Sequence, residues 1–249
     1  MHALSPTPFD AIPATLTAEG WAVVSADSLR TAAGTTADHL NELARTWGHL
    51  PADNHLRDGG HYRRRRHSCY IAHTDAPDHV DDVPHRAHWQ SVTYNALHGG
   101  FERWFEPVEP AVSGDPAWRQ LIGAIGQTLA RVMPVPCWYV EAHQFRVDTT
   151  GGIGRPTPEG AHRDGVDFVA VIMVGRHGVK GGETRVFDAE GPQGVRFTLT
   201  EPWSLLLLDD HRVIHESTPI QPQAPGELAW RDTLVLTFRA AGFQGPGTP

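Results

Sequence analysis

The sequence predicts an antiparallel β-sandwich or barrel that is braced by helices. Its second half consists of short apolar runs separated by glycine or proline turns, and a region with helical patterns precedes them. Strands and helices do not alternate in the manner of βαβ units. Closely spaced strands that follow N-terminal helices indicate an all-β core with flanking helices, in the α+β class.

Besides a short run near the N-terminus, six segments have the character of strands. Five of them lie after residue 166, between turn signals, at residues 167–174, 183–187, 195–199, 203–208 and 233–239. The sixth, residues 137–147, is longer and carries polar residues on both faces. Because a strand rarely has polar residues on both faces unless one of them lines a pocket, this segment indicates a binding cavity.

Helices are predicted in the first half of the chain. Asp115 and Pro116 form a start signal, an N-cap followed by proline at the first helical position, and Pro134 ends the apolar stripe that follows. A second helix is predicted around residues 36–47, and a short strand at residues 20–24 precedes it. Residues 1–14 show no periodicity and predict an arm that packs loosely.

Length and composition predict one domain. The 249 residues are 40% hydrophobic and 20% charged, a globular balance, and we divide them into a support region at 1–135 and a strand-rich core at 136–240. The net charge of −8 argues against a nucleic-acid partner. The two cysteines, the lack of a membrane-spanning apolar run and the lack of a signal peptide predict a cytoplasmic protein whose partner is a small molecule. The oligomeric state cannot be read from the sequence.

The run Tyr62-Arg63-Arg64-Arg65-Arg66 is the most concentrated polar stretch. Four consecutive arginines are usually a solvated edge. On an extended strand, however, Arg63 and Arg65 face one way while Arg64 and Arg66 face the other. One pair could therefore reach a buried carboxylate while the other stays in water.

A metal site is suggested by His162 and Asp164, which stand two residues apart at the start of an apolar run. A third ligand is expected downstream, and either His211 or His215 could supply it after the apolar strand at 203–208. Two histidines and one carboxylate form the facial triad of non-haem Fe(II) oxygenases. We interpret His143 as a hydrogen-bonding pocket residue rather than a fourth ligand.

Arg231 opens the apolar strand at 233–239, sixteen residues after His215. An arginine that enters an apolar strand needs an anionic partner, because a buried unpaired guanidinium is costly.

At this point the sequence resembles the Fe(II)- and 2-oxoglutarate-dependent dioxygenases, in particular the bacterial group of L-isoleucine hydroxylases and biofilm-stress proteins. The resemblance covers roughly residues 45–240. It is carried by 58–60, 62–63, 65–66, 143–146, 156–160, 162–168, 181–183, 209–215, 219–220 and 231–232. One departure is His211, which stands where the family often has arginine.

The resemblance implies a double-stranded β-helix, the cupin-like jelly roll, and a specific site. By similarity, His162, Asp164 and His215 would hold Fe(II) and form the catalytic centre. Arg231 would bind the distal carboxylate of 2-oxoglutarate, with Thr233 as a second contact, and O2 would be the other cosubstrate. Because related halogenases have a small residue in place of the aspartate, Asp164 favours hydroxylation.

The resemblance also implies a substrate, a free aliphatic L-amino acid or a similar small molecule. Its carboxylate would need a cation, its ammonium group an acceptor, and its side chain an apolar wall. The candidates on this chain are Tyr62, Arg63, Arg65, Gln144, Arg146, Asp167 and Phe168, with Asp58 as another acceptor. The alternatives are a non-catalytic metal- or ligand-binding jelly roll in a stress or biofilm response and a metal-dependent isomerase or hydrolase.

Overall fold

The computed structural model describes residues 5–247, which contain twelve strands. The strands are β1 (Trp21–Val24), β2 (Arg63–His73), β3 (Val80–Asp82), β4 (Cys137–Asp148), β5 (Phe168–His177), β6 (Val179–Gly181), β7 (Thr184–Asp188), β8 (Gly194–Phe197), β9 (Leu205–Asp209), β10 (Val213–Ser217), β11 (Ile220–Pro222) and β12 (Trp230–Arg239). Seven of them form one antiparallel sheet in the order β1-β9-β5-β12-β4-β2-β3. The predicted strands are confirmed. Strand β2 was considered only as a possible extended conformation of the arginine run, and β3, β6, β10 and β11 were not predicted.

A second layer covers part of this sheet. It consists of the three-stranded sheet β10-β7-β8 and the pair β11-β6. Backbone bridges join the loop before β5 to this layer, His162 to His215 and Gly154 to Ile220. The segment that carries His162 is therefore fixed directly against β10.

Within residues 5–247, five α-helices and two 3-10 helices brace the sheet. The α-helices are α1 (Ile12–Glu19), α2 (Ala26–Ala32), α3 (Ala37–Ala44), α4 (Pro110–Ser113) and α5 (Pro116–Ala130), and the 3-10 helices are Phe9–Ala11 and Arg45–His49. The predicted start of α5 is confirmed, since the Asp115 side chain accepts a hydrogen bond from the Ala117 amide at 2.8 Å.

The expectation of a loose arm at residues 1–14 was wrong where the structure describes it; residues 1–4 lie outside the described residues. Ile12 begins α1, and its side chain is fully buried. Pro13 lies in the first turn, where its missing N–H costs nothing. The prediction failed because residues 1–14 include only the beginning of α1, which is too short to show a helical period.

Alternate residues of the large sheet face two different environments. On β4 and β12, Ala142, Leu234 and Leu236 pack in the larger apolar core together with residues of the helices, including Leu121. The residues between them face the second layer, where Val235 packs against another apolar cluster. The polar face of β4 that the sequence suggested is this second one, and it lines a cavity between the layers.

The large sheet takes strands from both sides of residue 135, since β1, β2 and β3 precede it. This continuity supports our proposal that the chain forms one domain. Among residues 5–247, no helix has the length and apolar character needed to cross a membrane.

Candidate active site

Three of the predicted ligands converge at one point of the cavity. His162 and Asp164 lie in the loop before β5, and His215 lies on β10. Asp164 Oδ1 is 3.8 Å from His162 Nε2, and Asp164 Oδ2 is 3.7 Å from His215 Nε2. One atom from each residue lies within 4.8 Å of the others, so the three could hold a metal ion.

The ligand residues are oriented by hydrogen bonds to their neighbours. His162 Nδ1 donates to the Gly160 carbonyl at 2.9 Å, which leaves Nε2 to face Asp164. Gln90 donates to Asp164 Oδ1 at 3.1 Å. The loop turns sharply after Asp164 at Gly165, which has φ +76°, and glycine is required there because a Cβ would collide with the ring of Tyr94.

The side chain of Asp210 holds this loop in place. Its carboxylate accepts the backbone N–H groups of Asp164, Gly165 and Val166 at 2.7–3.1 Å. Burial, together with the nearby Asp164, raises the pKa of Asp210 to about 7. Asp210 therefore has a structural role, since it orients the loop that carries His162 and Asp164.

His211, the alternative third ligand, lies elsewhere. Its side chain is 69% exposed and binds Asp167 at 3.0 Å. His215, in contrast, is buried, and burial together with the neighbouring His162 holds its pKa well below 6.5. A neutral imidazole is the form that binds a metal.

Arg231 and Thr233 line the same cavity from β12. Arg231 is 3% exposed, and its Nε and Nη2 atoms have no hydrogen-bond partner in the protein. Burial and the nearby Arg176 lower its pKa to about 10, so the guanidinium is still charged at neutral pH. Buried, charged and unpaired N–H groups of this kind fit a carboxylate ligand.

The seven predicted substrate residues separate into two groups. Arg63 and Arg65 line the cavity. Arg63 Nε donates to Asp53 at 2.7 Å but its Nη2 has no partner, and the Nε of Arg65 is also unpartnered. The alternation proposed for the arginine run is confirmed, because Arg64 and Arg66 face away.

The structure does not bring the other five to the cavity. Gln144 and Arg146 are cross-strand partners of Arg66 and Arg64, so they lie on the opposite face of the sheet. There Gln144 donates to Thr46, and Arg146 forms two hydrogen bonds to Asp232 at 2.7 and 2.6 Å.

The remaining three are engaged in other contacts. Tyr62 donates to Asp58 at 2.6 Å, Asp167 binds His211 and the Ala240 amide, and Phe168 packs edge-on against Trp138 in the larger core. Their choice rested on adjacency to polar residues in the sequence, which does not fix the direction of a side chain.

Sequence reasoning missed a group of cavity residues between β3 and α4. Trp89, Gln90, Asn95 and Arg103 all line the cavity. Gln90 Oε1 accepts from Asn95 Nδ2 at 3.0 Å and from Arg103 Nη2 at 3.2 Å, so it connects Arg103 with Asp164. This segment has no strand or helix periodicity, and no signal in it pointed to a site.

A second buried polar group, which we call the imidazole–carboxylate cluster, comprises His67, His88, Glu141 and His143. Glu141 accepts from His67 Nε2 at 2.9 Å and from His88 Nδ1 at 2.5 Å. His143 is a pocket residue, as the sequence suggested, and Glu141 was missed. Its position two residues before His143 on a strand was the available signal.

Comparison with known proteins identifies the family. The model of the family described as 2OG-Fe dioxygenase matches residues 44–237. The chain belongs to the 2OG-Fe dioxygenase family. This dioxygenase is therefore a 2-oxoglutarate-dependent non-haem iron enzyme whose cofactor and cosubstrates are Fe(II), 2-oxoglutarate and O2. No curated protein sequence matched it significantly.

The fold is also similar to that of several solved structures. A bsmA homolog from Methylobium petroleophilum PM1 is 54% identical, with a TM-score of 0.92 over 99% of this chain and 100% of that one. IDO from Bacillus thuringiensis is 18% identical, with a TM-score of 0.75 over 96% of this chain and 99% of the other. The Fe(II)/α-ketoglutarate-dependent dioxygenase TqaL is 18% identical, with a TM-score of 0.71 over 93% and 86%. The predicted jelly-roll fold is confirmed.

The residues of the dioxygenase fit these cofactors. Two imidazoles and one carboxylate are the donor set of a facial iron site, and they converge within one cavity. The unpaired N–H groups of Arg231 in that cavity match the distal carboxylate of 2-oxoglutarate.

Proposed function

We propose that this dioxygenase hydroxylates a free aliphatic L-amino acid or a similar small zwitterion. In this proposal His162, Asp164 and His215 hold Fe(II), and Arg231 and Thr233 bind 2-oxoglutarate. The observation that carries it is one cavity that contains the three ligands and two separate sets of unpaired arginine nitrogens. Arg231 on β12 is one set, and the arginines around β2 are the other.

The second set supports an anionic group on the substrate. Besides Arg63 and Arg65, it includes Arg103, which is 2% exposed and has an unpartnered Nε. Burial and the neighbouring Arg63 lower the pKa of Arg103 to about 10, so it is still protonated at neutral pH. Buried guanidinium groups without partners are costly, and a substrate carboxylate would relieve that cost.

The charges around this part of the cavity support a zwitterion rather than a simple acid. The three arginines Arg63, Arg65 and Arg103 are balanced by three carboxylates, those of Asp53, Glu141 and Glu159. A substrate without net charge keeps that balance. Bound Fe(II) with Asp164 and Arg231 would in turn balance the two charges of 2-oxoglutarate.

Glu159 is the best placed acceptor for the ammonium group. It lines the cavity, and its Oε2 is buried without a hydrogen-bond partner. Its other oxygen lies 3.4 Å from His162 Nε2, so the carboxylate is beside the proposed iron site. The acceptors suggested by the sequence, Asp58 and Asp167, are engaged with Tyr62 and His211 instead.

The chemistry divides between the cofactors and the chain. Bound Fe(II), with 2-oxoglutarate and O2, would supply an oxidant for an unactivated C–H bond; one oxygen atom would enter succinate as CO2 leaves, and the other would become the hydroxyl group. Arg231 would orient the cosubstrate through a bidentate pair. Phe145, Val166 and Val171 would form the apolar wall that places the aliphatic side chain and excludes water.

A screen of free amino acids tests the proposal. The iron-loaded enzyme should release succinate above its uncoupled rate with an aliphatic L-amino acid, and the product should contain one additional oxygen. Glu159→Gln should reduce kcat/KM more for the amino acid than for the analogue that lacks the amine. If neither free nor N-acylated amino acids stimulate turnover while a peptide or a nucleoside does, the proposed substrate class is wrong.

A further inference from the structure

The imidazole–carboxylate cluster lies on the cavity wall and is not used by the iron site or by Arg231. His67 on β2 and His143 on β4 are cross-strand partners, and their rings stack with centroids 4.7 Å apart. His88 and Glu141 complete the group, and all four residues except His67 line the cavity. Next to it on the same face of β2 is Arg65.

The contact between Arg65 and His143 determines which ring nitrogen of His143 carries the proton. Arg65 Nη2 is 2.7 Å from His143 Nδ1, and arginine has no acceptor, so Nδ1 presents its lone pair. Burial and the charge of Arg65 hold the pKa of His143 well below 6.5. The single ring proton of His143 is therefore on Nε2, which faces Glu141 Oε2 at 3.7 Å.

Glu141 is ionised and accepts hydrogen bonds from His67 and His88. Burial opposes its charge, but the hydrogen bonds from His67 and His88 outweigh burial and hold its pKa well below the usual range. Burial also lowers the pKa values of His67 and His88. The cluster thus consists of one carboxylate surrounded by three neutral imidazoles, two of which, His67 and His88, donate hydrogen bonds to it.

The same geometry argues against a second metal ion at these four residues, although their ligand atoms lie within 4.8 Å of one another. If His143 bound a metal through Nε2, its proton would have to move to Nδ1, where it would face the N–H of Arg65. Metal binding and the Arg65 contact therefore exclude each other, and a metal ion would also lie close to a buried cation.

The orientation of Arg65 is determined on three sides. Its guanidinium carbon lies 3.9 Å from the ring centre of Phe105 and 4.6 Å from that of Phe145, and Nη2 is taken by His143. Nε remains without a partner. The planar group can therefore present only its remaining N–H edge to a ligand.

We propose that His143, whose Nδ1 contacts Arg65 and whose Nε2 faces Glu141, is a positioning residue that holds Arg65 in the orientation that selects substrates with a carboxylate. The inference rests on the proposed function, because it assigns Arg65 to the carboxylate of the zwitterionic substrate. It also assigns a role to His143, which in this proposal contacts neither the iron nor 2-oxoglutarate nor the reacting carbon. His143 acts on specificity only through Arg65.

The test measures the preference of the enzyme for an acid over its carboxamide. The acid is the amino-acid substrate found in the screen, and the carboxamide is the same molecule with its carboxylate replaced by an amide. Wild type should prefer the acid by a factor of about 10–100, the size expected for one charge-assisted hydrogen bond. His143→Leu should reduce this preference about tenfold or more, mainly through the substrate KM, and should leave the KM for 2-oxoglutarate unchanged. His143→Gln should restore most of it, because the carbonyl oxygen of an amide can accept from Arg65 in place of His143 Nδ1.

A spectroscopic measurement tests the contact between Arg65 and His143 without any substrate. Nitrogen NMR of the iron-free full-length protein should show His143 with an unprotonated Nδ1, and Arg65→Met should change that signal. If the signal is as expected while no amino acid is turned over, the proposed substrate is wrong, but the role of His143 in orienting Arg65 is supported. A protonated Nδ1, or an acid preference that is equal in wild type and His143→Leu, would overturn the inference. So would a second tightly bound metal ion that His143→Gln releases.

Discussion

Replacement of Arg231 by alanine should raise the KM for 2-oxoglutarate steeply while leaving the fold intact. Two of its nitrogens, Nε and Nη2, are buried without a partner in the protein. The substitution therefore leaves no carboxylate unpaired, and Asp232, the charged neighbour, keeps its two hydrogen bonds from Arg146. We expect little change in Tm.

The magnitude follows from the two N–H groups that 2-oxoglutarate would lose. A hydrogen bond to a charged group contributes about 1.5–3 kcal/mol. Two of them correspond to about 3–6 kcal/mol, which is roughly a 10²- to 10⁴-fold increase in KM. Arg231→Lys should recover only part of this loss, because lysine restores the charge but not the planar fork.

The assay is succinate release at varied 2-oxoglutarate concentrations with saturating Fe(II). Arg185→Ala is a suitable control, since Arg185 pairs with Glu183 and Glu216 at the protein surface; its KM should equal that of wild type. A KM for 2-oxoglutarate that is unchanged in Arg231→Ala would refute the assignment, and an equal rise in both variants would show that the effect is not local.

Two further predictions concern the histidines. His162→Ala and His215→Ala should each lose stoichiometric Fe(II) in an equilibrium metal-binding measurement and lose turnover with it, whereas His211→Ala should keep both; the reverse pattern for His211 and His215 would show that the third ligand is misassigned. The second prediction is acid sensitivity. Because burial lowers the pKa values of the three imidazoles of the cluster below the unfolded value of about 6.5, the stability that they contribute is present above that pH and is lost as the pH falls toward their folded values. His143→Gln removes one of these groups, so denaturant titrations between pH 6.5 and 5 should show a pH slope that is smaller than that of wild type by up to about 1.4 kcal/mol per pH unit; identical slopes would mean that His143 is not a buried neutral group.

Much of the fold was determined by local sequence. The start of α5 at Asp115 and Pro116 and the strands β5, β9 and β12 follow from capping residues and apolar runs, which act within a few residues. The order His162, Asp164, then a histidine after an apolar strand indicated a metal site for a similar reason. Its chemistry requires particular residue types, and these are visible in the sequence. Short strands such as β10 and β11 were not visible, because they become strands only by pairing with β7 and β6.

Only the tertiary structure decided which polar residues share the cavity. Alternation on a strand shows that Arg63 and Arg65 face the same way, but it does not show that the register pairs them with Val147 and Phe145 and places Gln144 on the other side. A shift of one residue in that register would exchange the two faces. Arg103 and Glu159 come from loops, whose side-chain directions depend on distant contacts such as that of Gln90 with Asp164. The sequence therefore determined which chemistry is present, and the packing of strands and loops determined which residues perform it together.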